Sequence, residues 1–211
     1  KLNPKLLHGW IGLAQWAISR NNLEQAQSAL AQARRLDADN TLVLMTQAEL
    51  LLAQGKPEEA QPLIYKARQL SPRDPSVFLA LGKTSYAMGK FDDAIIQIKQ
   101  LLEMSPEHPE ALRLLSKAYE GKMKPEDAEQ ALQKALSLNP GDVETAAALL
   151  KIYDQNGEPE RGILFLRQLV KQQPGQSVYQ AELLNRLCEA GRQEECFQSG
   201  QEFIAQASSL E

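Results

Sequence analysis

The sequence predicts an all-α fold, a solenoid of antiparallel helix pairs, and three observations predict it. The stretch 75–108, PSVFLALGKTSYAMGKFDDAIIQIKQLLEMSPEH, reads as a helix, a turn at Gly89-Lys90 and a second helix that ends before Pro106. The pattern returns every 34 residues: Ala94 has counterparts at Ala26, Ala60 and Ala128, and Pro106 at Pro72, Pro140 and Pro174. A fixed period of this length marks a repeat array, in which each unit buries its apolar face only by stacking on its neighbours. Within the period, bulky and small residues keep their places.

Counting positions 1 to 34 from Leu7 divides the chain without insertion into 7–40, 41–74, 75–108, 109–142, 143–176 and 177–210. Position 4 is bulky in the first four repeats (Trp10, Leu44, Phe78, Leu112), and position 8 is small there (Ala14, Ala48, Gly82, Ser116). Position 20 is Ala26, Ala60, Ala94 and Ala128, then Gly162 and Cys196. Small residues at 8 and 20 let two antiparallel helices approach, while large ones such as Ile98 at position 24 fill the space beside them.

The period and the offsets of Phe78, Leu81, Gly82, Ala94, Ile98 and Pro106 strongly resemble the tetratricopeptide repeat family, over essentially the whole chain. The resemblance implies a right-handed superhelical solenoid with a concave groove lined by the first helices. Residues 1–6 are expected to be the tail of an earlier repeat, because Leu2-Asn3-Pro4 matches Leu70-Ser71-Pro72 and Leu138-Asn139-Pro140. The terminal Leu210-Glu211 reads as a cloning remnant. Both suggest a fragment, so a missing leader at Lys1 carries no information on targeting, and cytoplasm and bacterial periplasm both stay open.

The helix boundaries have chemical reasons. Asp39-Asn40, Asp74-Pro75, His108-Pro109 and Gly141-Asp142 supply caps, or a proline at the first helical position. Pro57, Pro125 and Pro159 open second helices, with acids beside them facing the positive helix end. Pro62 is expected to disturb the second helix of its repeat, since it lies inside it. The last two repeats depart from the pattern. Position 8 becomes Leu150 and Leu184, the first facing a reduced Gly162, and Gln180 stands where a large apolar residue belongs. Phe197, Phe203 and Ile204 stay apolar with no polar capping helix after them.

Net charge is −4 and 24% of residues are charged, so there is no electrostatic footprint for nucleic acid. The apolar runs are too short for a membrane span. No cofactor is expected. His8 and His108 lack spaced partners for zinc. Cys188 and Cys196 flank the Gly191 turn; a disulfide and two small buried residues are both open readings, and a metal site is not supported. Gly82-Lys83-Thr84 has the ending of a phosphate-binding loop, but Val77 stands where that loop needs glycine, and the tripeptide lies in a helix. No Ser-His-Asp or Cys-His set has a reason to converge, so a non-catalytic chain is expected.

Binding remains. The resemblance implies groove positions 2, 5, 9, 12 and 13. By register these place Ile11, Ile18, Met45, Leu52, Leu79 and Tyr86 in an apolar first half. Lys83, Lys117 and Lys151 follow as a ladder, joined by Arg113 and flanked by Glu120, Glu144 and Asp154. The expected partner is a protein or peptide segment with apolar anchors and some acidic residues, because an exposed apolar strip calls for a cover. The opposing reading is that the lysines pair with neighbouring acids and long aliphatic chains close the groove. The family's carboxylate clamp does not carry over, since position 6 holds Gly12, Thr46, Ala80 and Leu114. The expected function is a scaffold or adaptor that assembles other proteins; the regular, Gln-rich repeats are similar to bacterial arrays of envelope assembly. The alternatives are a non-catalytic arm of a larger enzyme, of glycosyltransferase or cytochrome-assembly type, and self-association through uncapped ends.

Overall fold

The computed structural model describes residues 4–208, and side chains from 6 to 205. Among these residues there are twelve α-helices and no strand, so the chain is an all-α solenoid of tandem helices. They are α1 (Pro4–Ser19), α2 (Leu23–Leu36), α3 (Thr41–Ala53), α4 (Pro57–Leu70), α5 (Pro75–Ala87), α6 (Phe91–Met104), α7 (Pro109–Gly121), α8 (Pro125–Leu138), α9 (Val143–Gln155), α10 (Pro159–Gln172), α11 (Ser177–Glu189) and α12 (Gln193–Ser208). They fall into two compact units, one ending at Lys124 with α1–α7 and one starting at Pro125 with α8–α12. Leu2, Asn3 and the terminal Leu210-Glu211 lie outside the described residues, and Pro4 itself opens α1. No described helix is long and apolar enough to cross a membrane.

The first helices start where the caps are. Asn40, Asp74 and Asp142 accept from the backbone amides of Leu42, Ser76 and Thr145, and His108 Nδ1 accepts from Ala111 at 3.2 Å. Each cap satisfies an amide that the helix itself leaves without a partner. First helices end alike. Asn21, Gly55, Gly89, Met123, Gly157 and Gly191 all have a φ of +55° to +73°. The next amide reaches back to the last turn: Asn22 to the Ala17 carbonyl, Lys56 to Leu51 and Lys90 to Ser85, each at 2.9 Å. This is the left-handed helix stop, which glycine adopts without strain. Met123 holds that conformation without being glycine, and its side chain is 90% exposed.

Pro62 does not interrupt its helix: α4 runs unbroken from Pro57 to Leu70. The carbonyl that loses a donor belongs to Glu58, an exposed residue in the first turn, where a lost helix bond costs less than in a buried turn.

In the first unit the core forms where small residues meet large ones. Ala26, Ala60 and Ala94 are completely buried, as are Ile64 and Ile98 beside them. Gly82 requires the absence of a side chain, since a Cβ there would lie 2.4 Å from Ile98 Cδ1. Gly82-Lys83-Thr84 is thus a helix crossing; the Thr84 hydroxyl donates to the Ala80 carbonyl at 2.7 Å.

The second unit inverts the arrangement. Leu150 on α9 takes the crossing place, and a Cβ on Gly162 of α10 would sit 3.4 Å from its Cδ2. On α11 and α12 a Cβ on Gly200 would meet Leu184 Cδ1 at 3.6 Å. Leu184 and Gly200 are therefore Gly82 and Ile98 with large and small exchanged, which keeps volume roughly constant. Gln180 is buried, and its amide donates to the Pro174 carbonyl at 3.2 Å. Cys188 and Cys196 form a disulfide with Cα atoms 5.3 Å apart. Cys188 is exposed, so the alternative of two buried thiols is set aside.

Candidate functional site

In the first unit α3, α5 and α7 present successive turns of one face. Lys83 Nζ on α5 lies 2.5 Å from Glu110 Oε1 on α7, and both side chains are about half exposed. Burial works to raise the Glu110 carboxyl, but the hydrogen bond and charge of Lys83, helped by His108 and Arg113, hold it below the usual carboxylate range. Glu49 on α3 is pushed the other way. Burial raises it, Lys83 opposes that, and Glu110 adds repulsion. The native state therefore holds the Glu49 proton more tightly than the unfolded chain does. Its contribution to stability falls as pH rises through the window above the usual carboxylate range. Glu49→Gln is expected to raise the melting midpoint at neutral pH and to match the wild type in acid below that range, read by thermal melts across pH.

The apolar half of the expected groove is only partly open. Ile11 and Met45 are buried, 4% and 7% exposed, and do not line an accessible strip. Ile11 belongs to the core cluster that holds Val43, and Met45 to the one that holds Val77 and Leu81. Bulky residues at this position close the seam between successive first helices. Ile18, Leu52, Leu79 and Tyr86 are half-buried, and Tyr86 leans on Phe91 with ring centres 5.7 Å apart. Arg113 is half-buried; Lys83 and Lys117 are exposed.

In the second unit the same position holds Ala147 and Ala181, and here the face is hollow. A cavity of about 240 Å³ lies between α9 and α11, floored by Val143, Leu150 and Tyr179, with Ala147 and Val178 at its mouth. Ala147 is exposed and Val178 is 50% exposed. The rim is charged. Arg186 Nη1 and Nη2 donate to the two Asp154 oxygens at 2.6 and 2.8 Å, and Nε donates to Glu182 at 2.8 Å. That hydrogen bonding holds the Asp154 carboxyl below its usual range against the opposing effect of burial, and the Arg186 charge adds to it. Lys151 is exposed beside this rim.

Of the hollow's lining, the sequence points to Lys151 and Asp154 along the groove and to Leu150 as a departure from the pattern, but does not join them into a recess. Its signal is the change from Ile11, Met45 and Leu79 to Ala147 at one register position: small residues leave open the seam that larger ones close.

Two family models described as tetratricopeptide repeat match the chain, one over residues 51–118 and 121–187 and the other over 11–75. No curated protein sequence matches. Among solved structures, PilF of Pseudomonas aeruginosa is similar over 98% of this chain and 92% of its own, with a TM-score of 0.72 and 18% identity. TTC0263, a thermophilic TPR protein of Thermus thermophilus, gives 0.68 at 16% identity over 86% of this chain and 99% of its own. MamA of Desulfovibrio magneticus RS-1 gives 0.66 at 18% identity over 83% and 99%. At such identities the likeness is one of fold. The matched segments, the helix hairpins repeating at one interval and the small residues at their crossings all lead to the same conclusion: the chain belongs to the tetratricopeptide repeat family.

Proposed function

We propose that the chain is a non-catalytic scaffold that holds a segment of another protein on the face formed by its first helices. The observation that carries this reading is the hollow between α9 and α11, where Ala147 leaves Val178 open to a foreign side chain above a floor of buried Leu150. An apolar recess with a polar rim is the usual anatomy of an anchor site. The first unit's own first-helix face is a separate surface, where Leu52, Leu79 and Tyr86 offer apolar contact and Lys83, Arg113 and Lys117 favour an acidic residue in whatever binds there. An incoming carboxylate competes with Glu110 for Lys83, so charge there governs encounter and orientation more than affinity. The Cys188–Cys196 disulfide supports an oxidising compartment as the place of work.

The test is affinity capture from the source organism by the wild-type chain and by two variants, Ala147→Trp, which fills the hollow, and Lys83→Glu/Lys117→Glu. Both change exposed side chains, and circular dichroism melts confirm folding. A partner retained by the wild type, lost with Ala147→Trp and weakened by the charge reversal is the expected result. A partner held equally by all three proteins overturns the assignment of this face.

A further inference from the structure

The turn after α7 is made on a residue that its backbone disfavours. The other first helices stop on Gly55, Gly89, Gly157, Gly191 or Asn21, residue types that take a positive φ readily. Met123 stops α7 at a φ of +56°, and the Lys124 amide closes the turn on the Tyr119 carbonyl at 2.9 Å, as its counterparts do. A side chain with a Cβ meets a steric cost in that conformation. Met123 offsets none of it inside the chain, since it is the most exposed of the described large apolar side chains. A backbone outlier that holds an apolar group out in solvent points to a use outside the fold.

The hollow between α9 and α11 has the matching gap. At its register position α3 carries Met45, which is buried in one cluster with Val77 of α5. Three periods on, Ala147 stands for Met45 and Tyr179 for Val77. The cavity is therefore the place that a methionine side chain fills between α3 and α5. Its lining suits one as well. The Tyr179 ring is fixed by its hydroxyl, which donates to the Pro140 carbonyl at 3.0 Å. Sulfur packs favourably against an aromatic ring, and an unbranched thioether adapts to an irregular recess.

The charges agree. Both chain neighbours of Met123 are exposed lysines, Lys122 in a surface pair with Asp92 at 2.7 Å. The acids nearest in sequence, Glu120 and Glu126, stand three residues to either side, at the ends of α7 and α8. On α9 and α11 four acids, Glu144, Asp154, Glu182 and Glu189, outnumber Lys151 and Arg186. A lysine-flanked tip thus meets a face with an excess of carboxylates, which steers its approach.

We infer that the hollow of one copy binds Met123 from the α7 turn of a second copy, with Lys122 and Lys124 beside the acids of α9 and α11. This rests on the reading of the hollow as an anchor site and names one occupant of it, another copy of the chain, with which a foreign segment competes.

Sedimentation equilibrium of the whole chain, up to about 1 mM, reads the copy number. The wild type is expected to rise from one copy as concentration increases. Met123→Gly puts in the residue that most of the other turns use, so a thermal melt should show it at least as stable. Its self-association is expected to weaken about 10- to 150-fold, the change that burying one methionine side chain supports. Ala147→Trp, which fills the hollow, is expected to lose association likewise. Mixed one to one, the two variants present an intact tip and an intact hollow, and the mixture should recover a two-copy species. With methyl labels on the Met123→Gly protein alone, that recovery shifts its Leu150 and Val178 methyls. The inference is overturned if the wild type keeps a single-copy mass throughout, if Met123→Gly associates as well as the wild type, or if the mixture behaves as the variants do apart. A foreign segment captured through Ala147 survives each of these results, so the two readings fail separately.

Discussion

Gly82→Leu is expected to destabilise the first unit by about 2–3 kcal/mol, near the upper end for overpacking a core. The first added carbon would already lie 2.4 Å from Ile98 Cδ1 and 2.7 Å from Cγ1. Ile98 has no room to retreat, being fully buried. Trimming it should therefore help: Gly82→Leu/Ile98→Ala is expected to lose much less than the sum of its parts, with a coupling of about 1–3 kcal/mol. The molecule contains the precedent, since Leu184 and Gly200 occupy the same two places in the last hairpin with the sizes exchanged. Urea melts of the two single variants and the double variant measure the coupling. Additive losses would show that the two residues do not share one space.

Breaking the Cys188–Cys196 disulfide is expected to release α12 and little else. None of the described side chains of α12 is buried, and Phe197 and Ile204 are 69% and 67% exposed. The ion pairs that tie it down, Arg192 with Glu160 and Arg167 with Glu195, are surface contacts that stabilise little. The crosslink spans a sequence separation of 8, and closing so short a loop restricts the open state by about 2–3 kcal/mol. Cys188→Ser/Cys196→Ser should speed amide hydrogen exchange in α12 by about 30- to 150-fold if that restriction is fully expressed. Exchange in α8–α10 should be unchanged. Unaltered protection in α12 would mean that side-chain packing holds it.

Helix boundaries were legible because they are local. Asn40, Asp74, His108 and Asp142 cap the helices they precede, and the prolines at Pro57, Pro125 and Pro159 open theirs, as backbone chemistry requires. Gly82 was legible as a crossing residue for the same reason that it mattered: one register position, one size. Met123 was not, because its left-handed backbone is imposed by the hairpin around it and its own chemistry disfavours it. Pro62 was misread because the cost of a helical proline depends on whether the orphaned carbonyl lies in an exposed turn. Ile11 and Met45 lie deeper than an open groove lining, because a register assigns a face but not a depth. Whether a residue lines an opening or fills a seam depends on the size of its neighbours on the next helix. The same non-local sum of volumes produces the hollow at Ala147, which cannot be read from one repeat alone.

On the proposed reading, a partner segment places an apolar side chain in the hollow between α9 and α11. Cross-saturation from the captured, unlabelled segment to methyl-labelled chain tests it most directly. The expected result is transfer to Ala147, Leu150 and Val178, with loss of transfer to Leu150 and Val178 in Ala147→Trp. Transfer confined to other helices, with these three methyls silent while the segment is bound, would contradict it.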